Sequence, residues 1–445
     1  MLDSSWNDAL SLALGNIPGI TPGMQLFLEA REDLWVEESS SGGRSQAHNR
    51  LVGLSATPPD QGLPLVHRSD PAPEDARALL LTALGRTDAP ETRVGTSAKV
   101  GPGTGKLLEE SEAALAATLD PIRRLGSGIG YQARWVGFRQ QVRIAVRGAP
   151  VVGDLRQSRR LRLEVEVRRR GKAVRAVGEK VLSTHPLNLR EALGELATSV
   201  ADRAQVLLEA RPVASGERRV VLGPGIGGIL CHELVGHALE ADAAAGGSWL
   251  KELKEKISFG DLVILDDPRR GRAAWRIDDE GEPARPIPLV RDGRVVSLLH
   301  DRSTATAAGA RPTGHGRRAN YREPVRPRMG CTFIGAGRHD PEEVLEGIDD
   351  GIYVLRLESA SVDPRSGRAF FRVTDSDRIV RGRRAEPLRP HLMAVDGVRT
   401  LSSIDRIARD LAFDNCIGSC HRDGQTMAVS VGAPTIRIGM VRVVA

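Results

Sequence analysis

The sequence predicts an α+β chain in two parts. Residues 1–215 would form an N-terminal α/β domain of antiparallel strands and helices, and residues 216–445 a mostly antiparallel β domain built around one inserted helix. Three observations carry this. Residues 131–182 alternate apolar and polar side chains, the period of half-buried strands, with turns at Gly148-Ala149-Pro150 and Arg170-Gly171-Lys172. Leu189, Leu193, Leu196, Val200, Ala204 and Leu207 fall at helical spacing, so Leu187 to Ala210 reads as a long amphipathic helix ending at Arg211-Pro212, a sensible boundary. From about residue 260 onward, strand and turn signals dominate.

In chain order, Met24 to Glu38 reads as a strand that ends in the loop Ser39-Ser40-Ser41-Gly42-Gly43. A Pro-rich connection runs from Thr57 to Pro73. Asp70 then fits a helix N-cap, with Pro71 at the first helical position and Gly85 closing the helix. Residues 86–106 are rich in Gly, Thr and Pro and read as a linker. Lys106 to Leu119 fits a helix stopped by Pro121. In the second part a helix opens after Gly223-Pro224-Gly225. Ile287 to Val290 and Val295 to Leu299 flank Asp292-Gly293, a strong hairpin signal. Phe370 to Val373 and Thr435 to Val444 read as strands.

Composition narrows the function classes. The 445 residues include 63 basic and 57 acidic side chains, a net charge of +6. The Arg runs at 159–162 and 168–170 alternate with Leu161, Leu163, Val165 and Val167, so they read as the solvated face of a strand and not as a nucleic-acid surface. Aromatic residues make up 3% of the chain, which leaves few stacking platforms for bases. No apolar run of about 18 residues exists, so no membrane-spanning helix is expected. The start, Met1-Leu2-Asp3-Ser4-Ser5, lacks the basic and apolar parts of a signal peptide, and four cysteines show no pairing pattern. A cytoplasmic setting is expected. Val100-Gly101-Pro102-Gly103-Thr104-Gly105-Lys106-Leu107 mimics a phosphate-binding loop but lacks the first Gly and the Ser or Thr after Lys.

The chemistry concentrates in Cys231-His232-Glu233-Leu234-Val235-Gly236-His237. Two imidazoles and a carboxylate within six residues are parts of a zinc hydrolase. The spacing is one residue longer than the common His-Glu-x-x-His signature. On a regular helix, residues five apart lie about 140° apart around the axis. Both imidazoles reach one metal only if the helix ends there or is overfilled by a single π turn. Gly236 is the residue type that tolerates an unusual backbone. Catalytic zinc takes three protein ligands and keeps a position for water, so a third ligand is required. Cys420, in the turn-rich Gly418-Ser419-Cys420-His421-Arg422-Asp423-Gly424-Gln425, is the best candidate; Cys416, His421 and Glu240 are the alternatives. Glu240 also suits a carboxylate that orients an imidazole. Cys231 points away from the ligand face and reads as packing.

The segment Gly228 to Glu240 resembles the metal-binding helix of the TldD/PmbA family of zinc metallopeptidases. Further similarities follow in family order: Asp279-Glu280-Gly281, then Arg311-Pro312-Thr313-Gly314-His315-Gly316-Arg317-Arg318, then Pro327-Arg328-Met329. Gly351-Ile352-Tyr353-Val354, Asp414-Asn415, Cys420 with Asp423-Gly424-Gln425, and Gly432-Ala433-Pro434-Thr435 complete the run, which covers roughly residues 220–440. PmbA-like members lack the His-Glu-x-x-x-His motif, so the chain resembles the TldD-type, catalytic member. The chain departs from the family pattern at His315, Cys331, His421 and Ala433, and none of these departures removes a proposed ligand.

The resemblance implies His232, His237 and Cys420 as Zn2+ ligands and Glu233 as catalytic base in peptide-bond hydrolysis. It also implies a heterodimer with a PmbA/TldE-like homologue, with a homodimer as the alternative. The substrate expected is an extended or unfolded peptide, including peptide precursors to be processed. A specialised amidase tailoring a ribosomal peptide or small natural product, and a non-catalytic modulator subunit held together by zinc, are the other readings. Arg317 and Arg318 suit a peptide C-terminal carboxylate or a structural ion pair. His315 and Asp279 complete the candidate substrate-binding set, and for Asp279 a solvated turn is the competing reading.

Overall fold

In a computed structural model, residues 2–15, 23–58, 65–84, 105–125, 128–169, 171–182, 189–252, 260–272, 274–363, 365–414 and 419–445 are described. The first part contains α1 (Ser5–Gly15), β1 (Gln25–Ser39), β2 (Arg44–Thr57), β3 (Val66–Ser69), α2 (Asp75–Ala83), α3 (Gly105–Arg123), β4 (Ile129–Val146), β5 (Val152–Arg169), β6 (Lys172–Val181) and α4 (Leu189–Leu207). Its strands form one antiparallel sheet in the order β3-β2-β1-β4-β5-β6. The period-two alternation gives that sheet two faces. Leu26, Leu28, Leu34 and Val36 of β1 pack beneath the helices, with Leu10 and Leu79 at one end and Leu115, Leu193 and Val200 at the other. The odd-numbered side chains point the other way: Gln25 Nε2 donates to Asp279 O (2.6 Å) and Glu29 Oε2 accepts from Tyr321 N (2.9 Å).

Several expectations need correction here. Asp70 is not a helix cap. It adopts a left-handed turn (φ 45°) and its N–H still pairs with Val52 O. Pro73 disfavours helical geometry at Ala72, so α2 starts at Asp75, whose carboxylate accepts from Ala72 N. Gly85 and all of the expected linker 86–106 except its last two residues lie outside the described residues. Pro121 does not stop α3, which runs to Arg123. In the last turn proline forfeits one bond, and Ile122 is buried in the helix–sheet core. The Arg runs are not wholly solvated: Arg159 is buried against Glu110 of α3. Helix α1 and the short β3, inside the Pro-rich connection, carried no signal that the periodicity picked out.

The second part contains β7 (Gly216–Leu222), α5 (Gly227–Cys231), α6 (Ala241–Ala245), α7 (Trp249–Glu252), β8 (Ile264–Asp266), β9 (Ile287–Arg291), β10 (Arg294–Val295), α8 (Arg302–Ala307), β11 (Gly316–Arg317), β12 (Arg326–Pro327) and β13 (Cys331–Ile334). It continues with β14 (Asp350–Asp363), β15 (Arg368–Val380), β16 (Arg383–Pro387), β17 (His391–Asp396), α9 (Gly397–Ser402), β18 (Arg406–Ile407), β19 (Ala412–Asp414), β20 (Ser419–Arg422), β21 (Gln425–Ala428), β22 (Ser430–Ala433) and β23 (Ile436–Val444). β14 pairs with both β7 and β15, which closes β14-β7-β23-β17-β15 into a five-stranded barrel. Val220, Ile352, Phe371, Met393 and Ile438 share its core. A second sheet runs β10-β9-β8-β13-β22-β19. Most pairs are antiparallel; β7–β14 and β13–β22 are parallel. The Asp292-Gly293 hairpin forms with both residues left-handed (φ 48° and 69°). Its second strand is shorter than expected, because Leu299 N turns to bond Leu239 O.

Candidate metal centre

The centre forms where a helix changes type. Helix α5 lies against β22 because Gly228 permits it: a Cβ there would meet Gly432 N at 2.5 Å and Val431 Cβ at 2.8 Å. At His232 the chain widens into a π turn, His232–Gly236, in which His237 N–H donates to the carbonyl of His232, five residues back. This is the single overfilled turn that the His-Glu-x-x-x-His spacing demands. A 3-10 turn, His237–Leu239, follows, and Glu240 becomes extended. Gly236 has ordinary helical dihedrals (φ −57°, ψ −56°), so backbone tolerance is not its role. Its role is space: a Cβ would lie 1.9 Å from Met329 Sδ.

The two imidazoles sit edge to face, their centroids 4.9 Å apart. Cys420 arrives on the β20–β21 hairpin with Sγ 3.3 Å from His237 Nε2. One nitrogen of each imidazole and this sulfur lie within 4.8 Å of one another. Donors bound to one tetrahedral zinc at about 2.0–2.3 Å are about 3.5 Å apart, so the set could hold such an ion with small adjustments. His232 Nδ1 is buried and lacks a hydrogen-bond partner, which buried polar atoms rarely do.

The surrounding groups hold the three donors. Glu240 Oε2 accepts from His237 Nδ1 (3.0 Å), leaving Nε2 toward Cys420. A carboxylate behind an imidazole fixes its tautomer and orientation. The same oxygen accepts from Arg422 Nη1 (2.7 Å), which also contacts Asp242 Oδ1 (2.9 Å). Although Glu240 is buried, His237 and Arg422 hold its carboxyl down at about 2. Burial disfavours the His237 imidazolium, but Glu240 and Cys420 outweigh this and raise it well above its ordinary value. Burial, aided by His237, pushes His232 well below its ordinary value. Glu233 is half-buried beside the cluster, and burial raises its carboxyl. Among the described residues it has no hydrogen-bond or salt-bridge partner.

The hairpin has its own anchors. Asp423 and Gly424 turn it with left-handed dihedrals (φ 50° and 77°). Buried Arg328 donates from Nη2 to Arg422 O (3.2 Å) and Gln425 O (3.0 Å). Neither Arg328 nor Arg422 was a sequence candidate. The Asp-Gly pair after Cys420 was a hairpin signal available to be read. His421 is exposed, its Nδ1 on Thr426 Oγ1 (2.8 Å), as alternation along β20 requires. Cys416 lies outside the described residues. Cys231 is buried in the core.

The four expected substrate-binding residues lie elsewhere, in the seam between the first sheet and the second part. Asp279 accepts from Arg156 Nη1 (2.6 Å), Arg317 Nε (3.1 Å) and Arg318 N (2.8 Å). Arg317 stacks over Trp275 and Arg318 over Phe27. His315 Nε2 meets Asp266 Oδ1 at 3.1 Å. All four are buried, Arg318 to 1% exposure, so in this chain they offer a peptide no surface. For the arginines the geometry is that of structural ion pairs, and the turn at Asp279 is not solvated.

Among the described residues, no helix is long and apolar enough to cross a membrane. The family model of the PmbA/TldA metallopeptidase C-terminal domain matches residues 215–445. A metalloprotease TldD homolog of Buchnera aphidicola is 28% identical over 322 residues, covering 70% of this chain and 67% of that one. A zinc metalloprotease TldD homolog of Saccharolobus solfataricus is 30% identical over 234 residues, 52% of each chain. The chain spans between about half and two thirds of the length of the curated relatives it matches. Among solved structures, TldE from Thermococcus kodakarensis superposes with a TM-score of 0.72 over 95% of this chain and 96% of its own, at 15% identity. That likeness is one of fold. With the family model spanning more than half the sequence, the chain belongs to the TldD/PmbA family.

Proposed function

We propose that this chain is a zinc-dependent peptidase that hydrolyses peptide bonds in extended or unfolded peptides, including the processing of peptide precursors. The observation that carries the reading is the convergence of His232, His237 and Cys420 from distant parts of the chain, beside the unpartnered carboxylate of Glu233. The names of the relatives support it at the level of metalloprotease. Bound by these three side chains, zinc would supply the Lewis acidity that amide hydrolysis needs at neutral pH. Glu233 takes the proton of the attacking water and returns it to the leaving amine. Glu240 keeps His237 in one tautomer, and Arg422 keeps Glu240 charged. Burial of the cluster excludes bulk water and strengthens these interactions. The family resemblance extends the reading to a heterodimer with a PmbA/TldE-like homologue.

The test combines metal content with turnover. Wild type is expected to hold near one zinc per chain and to cleave an unfolded model protein, alone or with the homologue added. His232→Ala and Cys420→Ala lose the metal. Glu233→Gln keeps it and loses turnover by about 10²–10⁴-fold. Full turnover in Glu233→Gln rejects the base assignment, and zinc retained by Cys420→Ala rejects the third ligand.

A further inference from the structure

A cavity of about 500 Å3 opens where β6 faces the barrel strands β14 and β15. It shares no lining residue with the metal centre. One side is Lys172 to Val177 of β6. Among the described strands β6 pairs with β5 alone, so every second residue there turns its N–H and C=O away from the sheet, open to pairing with another chain.

The charge of the cavity is one-sided. Lys172, Arg175, Arg356, Arg372 and Arg389 line it against Glu358 and Asp375. Both carboxylates are engaged: Asp375 accepts from Arg203 Nε (2.8 Å), and Glu358 lies 3.6 Å from Arg162. Among the described residues, Lys172, Arg372 and Arg389 have no carboxylate partner. Thr374 adds a buried hydroxyl oxygen without a hydrogen-bond partner. No aromatic side chain is among the described lining residues, so bases would find no stacking platform. Arg175 is held by Glu164 and Glu166, and Lys172 Nζ donates to Leu208 O (3.4 Å). An open strand edge flanked by cations that, among the described residues, lack a carboxylate fits an extended chain bearing carboxylates on alternate residues.

We propose that this cavity binds an acidic stretch of the peptide substrate as an added strand on β6, with its carboxylates held by Lys172, Arg372 and Arg389. Its assignment to the substrate rests on the peptidase reading above; the binding itself does not require turnover.

The experiment is fluorescence anisotropy on the full chain carrying Glu233→Gln, with three labelled probes: an alternating Glu-Val hexapeptide, its Lys-Val counterpart and a single-stranded 12-mer oligonucleotide. The acidic peptide is expected to bind, more weakly as salt rises, and the Lys-Val peptide is not. Arg372 and Arg389 are exposed, so Arg372→Glu with Arg389→Glu should fold and weaken the acidic peptide about tenfold or more. Arg389→Gln alone should weaken it less. N-methylation of alternate peptide amides, which removes strand pairing, should also abolish binding. Equal binding of both peptides, indifference to charge reversal or to N-methylation, or preference for the oligonucleotide overturns the proposal. If charge reversal abolishes binding while wild type cleaves no peptide either alone or with the homologue added, the cavity assignment stands and the peptidase reading falls. If wild type cleaves peptides and the charge-reversed chain binds the acidic probe normally, the cavity assignment alone falls.

Discussion

Removal of the Arg422 guanidinium tests how the metal centre is assembled. Arg422 lies two residues after Cys420 on β20, and its Nη1 reaches Glu240 Oε2 (2.7 Å) and Asp242 Oδ1 (2.9 Å). Glu240 Oε2 is therefore a hub: it orients His237 on the helix side and grips the Cys420 hairpin on the other. In Arg422→Ala this oxygen keeps His237 as its partner, while Glu240 Oε1 already has none, so a fully buried carboxylate loses its one arginine contact among the described residues. The hairpin itself should persist, because Arg328 holds it through backbone carbonyls. The expected effect is thus local: zinc affinity falls about 10–100-fold, the range for losing a group that orients a ligand, equivalent to about 1.4–2.7 kcal/mol. Arg422→Lys, a single ammonium, should fall between alanine and wild type. The assay is competition with a fluorescent zinc chelator at fixed pH, with a thermal melt as a check on folding. A double-mutant cycle with Glu240→Gln, which keeps all three donors, adds the decisive readout. If Arg422 acts through Glu240, its effect on affinity shrinks once that carboxylate is gone. An Arg422→Ala protein that is folded and binds zinc within twofold of wild type refutes the reasoning.

Three further outcomes follow from the same contacts. Gly236→Ala forces a Cβ to within 1.9 Å of Met329 Sδ, so urea denaturation should show a loss of about 1–3 kcal/mol, together with reduced zinc content; wild-type values for both would contradict the packing account. Arg156→Met removes one of the two buried arginines on Asp279 at the seam and should destabilise the chain by about 3 kcal/mol in urea, more than an exposed pair such as Arg378–Asp350 would contribute. Glu280→Gln concerns pH. Burial, Asp278 and Asp301 raise the Glu280 carboxyl from 4.5 to about 8, so the folded state holds more protons than the unfolded state between these values. Stability from this site is whole below about pH 4.5 and is lost as pH rises through about 8; the glutamine variant, which can still accept from Arg302 N, should gain on wild type in thermal melts from pH 5 to 8.5, and a constant difference would exclude the mechanism.

The elements most legible in the sequence are those whose partners are local. Strands β4, β5 and β6 follow one another through tight turns, so alternation and turn residues suffice to place all three. The barrel was not legible. Its closure depends on β14 pairing with β7, some 130 residues earlier, and no local period encodes which distant edge a strand will meet. The π turn was legible for a different reason: two ligands five residues apart leave the backbone almost no other way to present them together. Nothing local required Arg328 or Arg422, because an arginine acquires its role from the carboxylate or carbonyl that tertiary structure brings to it.

The same distinction explains why a substrate role stayed open in the sequence for Asp279, His315, Arg317 and Arg318. Charged residues in a turn are ordinarily solvated, and the partner that buries these, Arg156 on β5, lies 123 residues from Asp279. Removing such charges from water is expensive unless each is paired and hydrogen-bonded, so a seam built from them is favourable only in one registration of the two parts. Gln25, Glu29 and Arg156 on the sheet side each meet a specific backbone or side-chain group across it. A hydrophobic seam could slide by a residue at modest cost; this one would strand buried charges if it did. Since Asp266 contacts both His315 and the backbone N of Gly330, next to the Met329 that packs on Gly236, that registration extends to the wall of the metal turn. These motif residues are thus buried in the contacts that fix the registration of the two parts.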